Sequence, residues 1–315
     1  MATDRRTRAQ RWLLLVAAAG YGKSTALEAI GGDGPTACHR AADLIDALSH
    51  PTGPSDADPP ARIAVDEVSA LTGDEQLALV RLLGALPGQP AVTLAARHPL
   101  ADAARSACVG TVVHRGPETL ALGRDQVARI LRDEHAVPDS DLAYLVYELT
   151  AGWPAWVHLA GDALGRQGVG RRELLAALTE PGTAGGQFAR DEILTDLPAR
   201  VARLLGGIHR LDPITAPLCV AIDADAPADA TERALRWATR TGLLVAHPRR
   251  RSDPTASTVR LVPVLAAVLA QQEGRPDTSG RRRLSAAADW YLAHAYPSPP
   301  PEPCATRTTP PGARR

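Results

Sequence analysis

The sequence has few of the residues that mark secreted, zinc-binding or membrane-spanning proteins. Its four cysteines lie far apart without paired spacing, and the nine histidines form no ligand cluster beside them. We therefore expect neither a disulfide framework nor a zinc site. The apolar run from Leu13 to Ala19 is too short to cross a bilayer and lacks a clear cleavage context. These absences predict a cytoplasmic protein that spans no membrane.

The sequence also lacks an excess of charge of either sign. Its 35 basic residues balance 35 acidic residues, which argues against a protein that coats nucleic acid, because such binding needs clustered positive charge. Only one basic residue is a lysine, Lys23, and the other 34 are arginines. A compact ammonium group on a flexible stem fits between phosphate oxygens better than a planar guanidinium does. The lone lysine therefore points to a phosphate site.

Lys23 lies in the pattern of a phosphate-binding loop. Residues 17–24 are AAAGYGKS, which matches GxxxxGK[ST] except that Ala17 replaces the first glycine. A buried strand is predicted before the loop and a helix after it, so backbone N–H groups should point at phosphate oxygens. Lys23 would contact the β- and γ-phosphates, and Ser24 would bind Mg²⁺. The predicted nucleotide-binding residues here are Ala19, Gly20, Tyr21, Gly22, Lys23, Ser24 and Thr25.

Two further strands are predicted to end in polar residues. The apolar stretch 63–65 is followed by Asp66 and Glu67, which after a phosphate loop indicates a Walker B element. Asp66 would hold Mg²⁺, and Glu67 would orient or deprotonate the attacking water. The stretch 92–96 ends at Arg97. If this strand neighbours the first, Arg97 would lie near the γ-phosphate, and otherwise it is an ordinary surface arginine.

Apolar runs alternate with helical patterns over the first half of the chain. The runs at 12–16, 62–65, 91–95 and 111–113 predict strands buried on both faces of a parallel sheet, and Glu75 to Leu86 predicts a helix between two of them. Residues 1–115 are therefore predicted to form an α/β P-loop NTPase core, a parallel sheet with flanking helices.

Helical patterns dominate after Gly116. Residues 116–170 predict a small helical module in which Gly152 ends one helix and Pro154 begins the next. Residues 186–275 are predicted to begin with helices, one of them at 191–205. Two strands then flank residues 248–254, and a helix begins at Pro263. This order is typical of a winged-helix domain. A further helix is predicted at 281–295. The proline-rich tail 296–315 is expected to be disordered.

The order of these motifs resembles the STAND class of P-loop NTPases, in its branch of maltose-activator and large LuxR-type transcriptional regulators. The resemblance is carried by AGYGKST (19–25), the strand ending in Asp66 and Glu67, AAR (95–97) and TAGWPAWVHLA (150–160). It continues through residues 197–219, 241–245 and 283–291. It implies that ATP or ADP with Mg²⁺ lies between the core and the helical module, with Gly152 and Pro154 of a GxP motif near the base. Gly152 and Pro154 also have a plain role as helix stop and helix start.

The resemblance implies a regulatory switch. ADP would hold a closed form, and ATP with a signal would open it for self-association, with slow ATP hydrolysis at most. We expect the chain to lack the sensor repeats and the C-terminal DNA-binding domain of its relatives, and to act through self-association or a protein partner. Two alternatives stay open. In the first, the winged helix binds DNA, and its hairpin tip contacts the phosphates through Arg249, Arg250 and Arg251. In the second, the chain is a degenerate scaffold that binds nucleotide without turnover.

Overall fold

The computed structural model describes residues 11–31, 36–49, 61–166, 168–223, 226–247, 258–274 and 277–295. The hairpin arginines 249–251 and the tail 296–315 lie outside these ranges. The strands are β1 (Arg11–Val16), β2 (Thr36–Arg40), β3 (Arg62–Asp66), β4 (Ala91–Ala96), β5 (Thr111–Arg115), β6 (Leu244–Ala246) and β7 (Val259–Leu261). The helices are α1 (Lys23–Gly31), α2 (Ala41–Ser49), α3 (Gly73–Gly84), α4 (Asp102–Ala107), α5 (Arg124–His135), α6 (Ser140–Thr150), α7 (Pro154–Gly165), α8 (Leu174–Thr179), α9 (Ala184–Phe188), α10 (Ala199–Ile208), α11 (Ala216–Ile222), α12 (Ala228–Thr241), α13 (Pro263–Glu273) and α14 (Thr278–Ala295).

The first five strands form one parallel sheet in the order β2-β3-β4-β1-β5. Strand β4 pairs with β1 from Val92 opposite Trp12 to Ala96 opposite Val16. The carboxyl ends of β1, β3 and β4 therefore meet at one edge of the sheet. This edge carries the turn after β1, the acidic residues after β3, and Arg97 after β4.

Both faces of the three central strands, β1, β3 and β4, are covered, and this explains why these strands are almost purely apolar. Leu14 of β1 packs in an apolar cluster with residues of α3 and α4, such as Leu79 and Ala104. Leu15, on the other face, packs with Leu27 of α1. A strand with two buried faces has no polar face to alternate with. All four predicted strands are present, but the prediction that 111–113 is buried on both faces is wrong, because β5 lies at the edge of the sheet and Val113 is 38% exposed. Strand β2 was not predicted.

The helical module contains α5, α6 and α7, and its two predicted turning residues are confirmed. Helix α6 ends at Thr150, after which Ala151 and Gly152 have φ of 52° and 75°. Pro154 is the first residue of α7, where its missing N–H leaves no hydrogen bond unmade. The module's core is centred on Trp156 and Val157, which are fully buried.

The second half differs from the prediction at one helix. Residues 191–205 do not form a single helix, because a π-helical turn covers 189–194 and α10 begins only at Ala199. Pro198 lies between them, cannot donate to a helical carbonyl, and disfavours a helical backbone at Leu197. Further along, α12 ends at Gly242 (φ 86°), and β6 and β7 form an antiparallel pair with Leu244 opposite Leu261.

One apolar cluster joins the turn after β1 to the helical half of the protein. Ala17, Ala18 and Tyr21 pack in the same cluster as buried residues of α5 to α14. The turn therefore lies where the sheet packs against the helical half of the protein. Within the described part of the chain, no helix is both long enough and apolar enough to span a membrane.

Candidate functional site

The turn after β1 has the backbone of a phosphate-binding loop. Gly20 and Gly22 have φ of 75° and 78°, in the left-handed region that favours glycine. Ala17, at the position of the motif's first glycine, is fully buried, does not have a positive φ, and donates from its N–H to the Ala96 carbonyl at 3.2 Å. An L-residue is therefore accommodated without strain, which explains this departure from the glycine pattern.

Several N–H groups of the loop are unengaged by the described residues. None of those residues accepts a hydrogen bond from the N–H groups of Gly20, Tyr21 and Gly22. Helix α1 begins at Lys23, so the N–H groups of its first turn, which includes Ser24 and Thr25, have no partner within the helix. Successive N–H groups of this kind, together with a helix N-terminus, form a site for anions such as phosphate.

Lys23 is buried inside this loop. Its side chain is only 8% exposed, and its Nζ donates to the Ala18 carbonyl at 2.9 Å. Burial lowers the pKa of Lys23 to about 8, against the opposing effect of the Asp66 carboxylate and with a further lowering by the Arg97 charge. A buried cation with a single carbonyl partner is well placed to gain energy from phosphate oxygens.

Ser24 and Asp66 meet at the edge of the sheet, as predicted for a magnesium site. The Ser24 hydroxyl donates to Asp66 Oδ2 at 2.5 Å, and Asp66 Oδ1 accepts from the Glu67 N–H at 2.7 Å. A hydroxyl beside a carboxylate is the hard-oxygen donor set that Mg²⁺ takes in proteins, with water and substrate phosphates completing the shell. The residues present therefore fit the ion. Thr25, next to Ser24, is exposed.

Glu67 has an unusual backbone and an outward side chain. Its φ of 58° places a residue other than glycine in the left-handed region, a conformation that costs energy and is often found at functional sites. The carboxylate is 58% exposed and lies 3.8 Å from Arg40 Nε at the end of β2. The described contacts of this carboxylate are thus with Arg40 and not with Lys23 or Ser24.

Arg97 is tied to the helical half of the protein by two carboxylates. Its guanidinium lies 2.8 Å from Asp196 Oδ2 and 3.0 Å from Glu192 Oε2. Its backbone N–H donates to Ser69 Oγ at 2.7 Å, which fixes the end of β4. Both acidic partners lie in or beside the π-helical turn. The sequence prediction missed these partners, because they are almost one hundred residues away from Arg97.

The segment around Gly152 and Pro154 covers the loop. Trp153 Nε1 donates to the Ala19 carbonyl at 2.9 Å, and the Ala155 N–H donates to the Gly20 carbonyl at 3.0 Å. The rings of Trp153 and Tyr21 stack with centroids 4.5 Å apart. The contacts with the loop thus come from the neighbours Trp153 and Ala155, and Gly152 itself packs against Leu122. A methyl group on Gly152 would lie 2.1 Å from the Leu122 carbonyl oxygen.

A third segment reaches the same loop from the end of α12. The Ala18 N–H donates to the Thr241 carbonyl at 2.8 Å. The Tyr21 hydroxyl donates to the Gly242 carbonyl at 2.8 Å. Gly242 is also the C-terminal cap of α12. The phosphate loop is thus held by the sheet, by the start of α7 and by the end of α12.

A cavity of about 430 Å³ opens beside the beginning of the loop. It is lined by Val16 at the end of β1, His114 and Arg115 of β5, and Thr239 and Arg240 of α12. Burial, together with the positive charges of Arg240 and Arg105, lowers the pKa of His114. The lining also includes the carboxylate of Glu118 and the apolar side chains of Leu14, Pro99 and Leu100. The volume of the cavity is in the range of small-molecule sites.

Comparison with known proteins identifies the fold. No family model matches the sequence, and no curated protein matches it. Among solved structures, the Walker-type ATPase of Pyrococcus abyssi covers 82% of this chain and 91% of its own, with 15% identity and a TM-score of 0.53. The α/β core has the P-loop NTPase fold. The RuvB Holliday junction branch migration motor of Thermotoga maritima covers 76% of this chain and 83% of its own, with 16% identity and a TM-score of 0.40.

Proposed function

We propose that the protein is a nucleotide-binding regulatory switch of the STAND type that holds ATP or ADP with Mg²⁺ at the phosphate loop. The observation that carries the proposal is the burial of the only lysine, Lys23, among loop N–H groups that the described residues leave unengaged. The Ser24–Asp66 pair supplies the ligands for Mg²⁺. A bound triphosphate would bring negative charge to Lys23 and satisfy the loop N–H groups.

The contacts of the loop support a two-state mechanism. Segments 150–155 and 241–242 both bond to the loop, so any shift of the loop on nucleotide binding is transmitted to the helices. Arg97 lies at the same edge of the sheet and is neutralised by Glu192 and Asp196. We infer that the γ-phosphate of ATP competes with these carboxylates for Arg97. ADP lacks that phosphate and leaves the pairing intact, so it does not drive the opening that ATP drives.

The cavity beside the loop is our proposed place for the nucleoside, instead of the surroundings of Gly152 and Pro154 that the resemblance implies, since neither residue lines the cavity. Its lining includes Val16, directly before the loop, and Thr239 and Arg240. These last two residues shortly precede Thr241, whose carbonyl accepts a hydrogen bond from the loop. A Thr239→Trp variant fills the cavity. It should weaken ATP binding while leaving binding of inorganic triphosphate unchanged. Equal loss for both ligands would contradict this placement.

We assign the helical half to the maltose-activator and large LuxR-type branch, again as a proposal. Helices α10 to α12, the β6–β7 pair and α13 occur in the order of a winged-helix domain. The end of α12 contacts the phosphate loop through Thr241 and Gly242, which supports a regulatory role for this unit. We propose that the open form associates with itself or with a protein partner, and that it does not bind DNA directly, since the chain has zero net charge.

The nucleotide site is tested by calorimetric titration with Mg·ATP and Mg·ADP. A Lys23→Gln variant loses one charge-assisted contact to phosphate, which predicts a loss of affinity of about 30- to 100-fold. The matched control is Arg132→Gln, because Arg132 is exposed and remote from the loop. Equal ATP affinity in the parent and in Lys23→Gln would refute the assignment.

The switch is tested by releasing Arg97 from its two partners. The double variant Glu192→Gln with Asp196→Asn keeps the shapes of both side chains and removes their charges. If the γ-phosphate competes for Arg97, affinity for ATP rises and affinity for ADP stays nearly constant. A change of the same size for both nucleotides would show that Arg97 does not distinguish them.

A non-hydrolysing scaffold is a second candidate, and the side chain of Glu67 favours it. This carboxylate is exposed and faces Arg40. A group that must orient an attacking water has to lie at the γ-phosphate. Steady Mg²⁺-dependent release of phosphate by the parent protein that disappears in Glu67→Gln would reject the scaffold. Nucleotide binding without release in either protein would support it.

A further inference from the structure

Outside the nucleotide site, Glu134, His135 and His158 form a compact cluster of side chains that bind metals. Glu134 and His135 are the last two residues of α5, and His158 lies in the second turn of α7. One donor atom from each of the three lies within 4.8 Å of the other two. We propose that this cluster binds a divalent transition-metal ion of the Zn²⁺ type, joining the end of α5 to α7.

The distances between the donor atoms fit one tetrahedral ion. His135 Nε2 and His158 Nδ1 face each other at 3.2 Å, and His158 Nδ1 lies 3.7 Å from Glu134 Oε2. With metal–ligand bonds of about 2.0–2.1 Å, two ligands of a tetrahedral ion lie about 3.3–3.4 Å apart. Two of the three separations are therefore within about 0.4 Å of that value, and the third pair of donor atoms lies within 4.8 Å.

Asp162 prepares His135 to be a ligand. Its Oδ1 lies 3.0 Å from His135 Nδ1, so the carboxylate accepts a hydrogen bond from the Nδ1–H group. The lone pair of the neutral ring is then on Nε2, the atom that faces His158. A carboxylate behind a ligating histidine is the usual arrangement at zinc sites, because it fixes the tautomer and raises the basicity of the ligand. Arg166 pairs with the same carboxylate.

Two glycines of α7 make room for His135. A methyl group on Gly161 would lie 2.4 Å from the imidazole ring, and one on Gly165 would lie 2.2 Å from the His135 carbonyl oxygen. Glycine in the interior of a helix usually weakens it by about 1 kcal/mol relative to alanine. Here the two glycines let the ring of His135 lie directly against α7. The ring is therefore held in place, and only 10% of its side chain is exposed.

The donor set decides the class of ion. Two imidazoles and one carboxylate suit Zn²⁺ and related transition ions, whereas Mg²⁺ and Ca²⁺ take oxygen ligands. Glu134 and His158 are each about half exposed, at 56% and 45%, so water can complete the fourth position. The sequence pattern gave no sign of this cluster, because it contains no cysteine and His158 is 23 residues away from His135. The two histidines come from different helices.

The test is a titration of the full-length, metal-stripped protein with Zn²⁺ against a chromophoric chelator, with excess Mg²⁺ present to occupy oxygen sites. We expect one tight equivalent in the parent protein and a loss of at least about 100-fold in His158→Gln, which removes a half-exposed ligand. The matched control His294→Gln removes an exposed histidine of α14 and should bind as the parent does. Asp162→Asn should weaken binding by about 10- to 100-fold through His135.

Two further readouts keep the proposal falsifiable if a variant folds poorly. Co²⁺ should give the visible absorption bands of a four-coordinate ion in the parent and in His294→Gln but not in His158→Gln. Added Zn²⁺ should raise the melting temperature of the parent and leave that of His158→Gln unchanged, since a ligand that binds only the folded state stabilises it. Equal Zn²⁺ affinity in the parent and in His158→Gln would overturn the proposal. The contact between the two rings would then be an ordinary hydrogen bond between His135 Nε2 and His158 Nδ1.

Discussion

Lys23 should titrate near pH 8, far below the usual range of a lysine. Burial is the main cause, the Arg97 charge adds to it, and the Asp66 carboxylate opposes it, with the result that the pKa falls from 10.5 to about 8. At pH 8 about half of the Lys23 amines are then neutral. For an ordinary lysine the neutral fraction at this pH is about 0.3%, so the difference is roughly 150-fold.

The absence of any other lysine makes this pKa directly measurable. Protein grown with ¹³C-lysine gives one set of lysine signals in an NMR spectrum, and the Cε shift followed against pH gives the pKa without assignment. Arg97→Gln should raise the midpoint, because it removes a neighbouring positive charge. Asp66→Asn should lower it, because it removes a stabilising negative charge. A midpoint close to 10.5, unmoved by either substitution, would refute the burial of Lys23.

The same pKa shift predicts how stability depends on pH. Between about pH 8 and 10.5 the unfolded chain holds a proton on Lys23 that the folded chain has lost, so the contribution of this group to stability rises with pH across that window. The rise amounts to about 3 kcal/mol if the unfolded lysine has its ordinary pKa. Urea unfolding at several pH values should show this gradient in the parent and a flatter profile in Lys23→Gln. Parallel profiles would contradict the linkage.

Two other substitutions test the contacts that hold the loop. Gly152→Ala should reduce the free energy of unfolding by about 3 kcal/mol or more, because it combines a positive φ with a methyl group 2.1 Å from the Leu122 oxygen. The control is Gly206→Ala in α10, where the added methyl group meets open space. This substitution should increase the free energy of unfolding by about 0.5–1 kcal/mol. A loss under 1 kcal/mol for Gly152→Ala would contradict the close approach. Tyr21→Phe should lower the free energy of unfolding by about 1–2 kcal/mol, because it leaves the Gly242 carbonyl without its hydrogen-bond donor. Equal urea midpoints for the variant and the parent would contradict that hydrogen bond.

The sheet was predictable where strands are buried on both faces. Such strands consist almost entirely of apolar residues, as 63–65 and 91–95 do, with Thr93 the one polar residue, and both strands lie where the sequence placed them. Strand β2 is an edge strand with the composition TACHR, and Cys38 and Arg40 are exposed. It therefore carries no apolar pattern, and its existence depends on pairing with β3, which a local pattern does not encode.

The candidate site was predictable only in its local parts. The phosphate loop and the Asp66–Glu67 pair are contiguous motifs, so their residue types and spacing already specify the chemistry. The partners of Arg97 and the facing of His135 with His158 depend on how distant helices pack. The contact between His135 and His158 depends on Gly161 and Gly165, which allow His135 to approach α7 closely. The role of these glycines follows from the packing of α5 against α7 and not from the local sequence.

The central claim, that nucleotide phosphates bind beside Lys23, is tested most directly by repeating the lysine NMR titration with saturating Mg·ATP. Phosphate oxygens stabilise the ammonium form, so we expect the midpoint to move from about 8 to above about 9. Inorganic triphosphate should produce the same shift, because the effect comes from the phosphates. A Lys23 midpoint that is the same with and without Mg·ATP would contradict the claim.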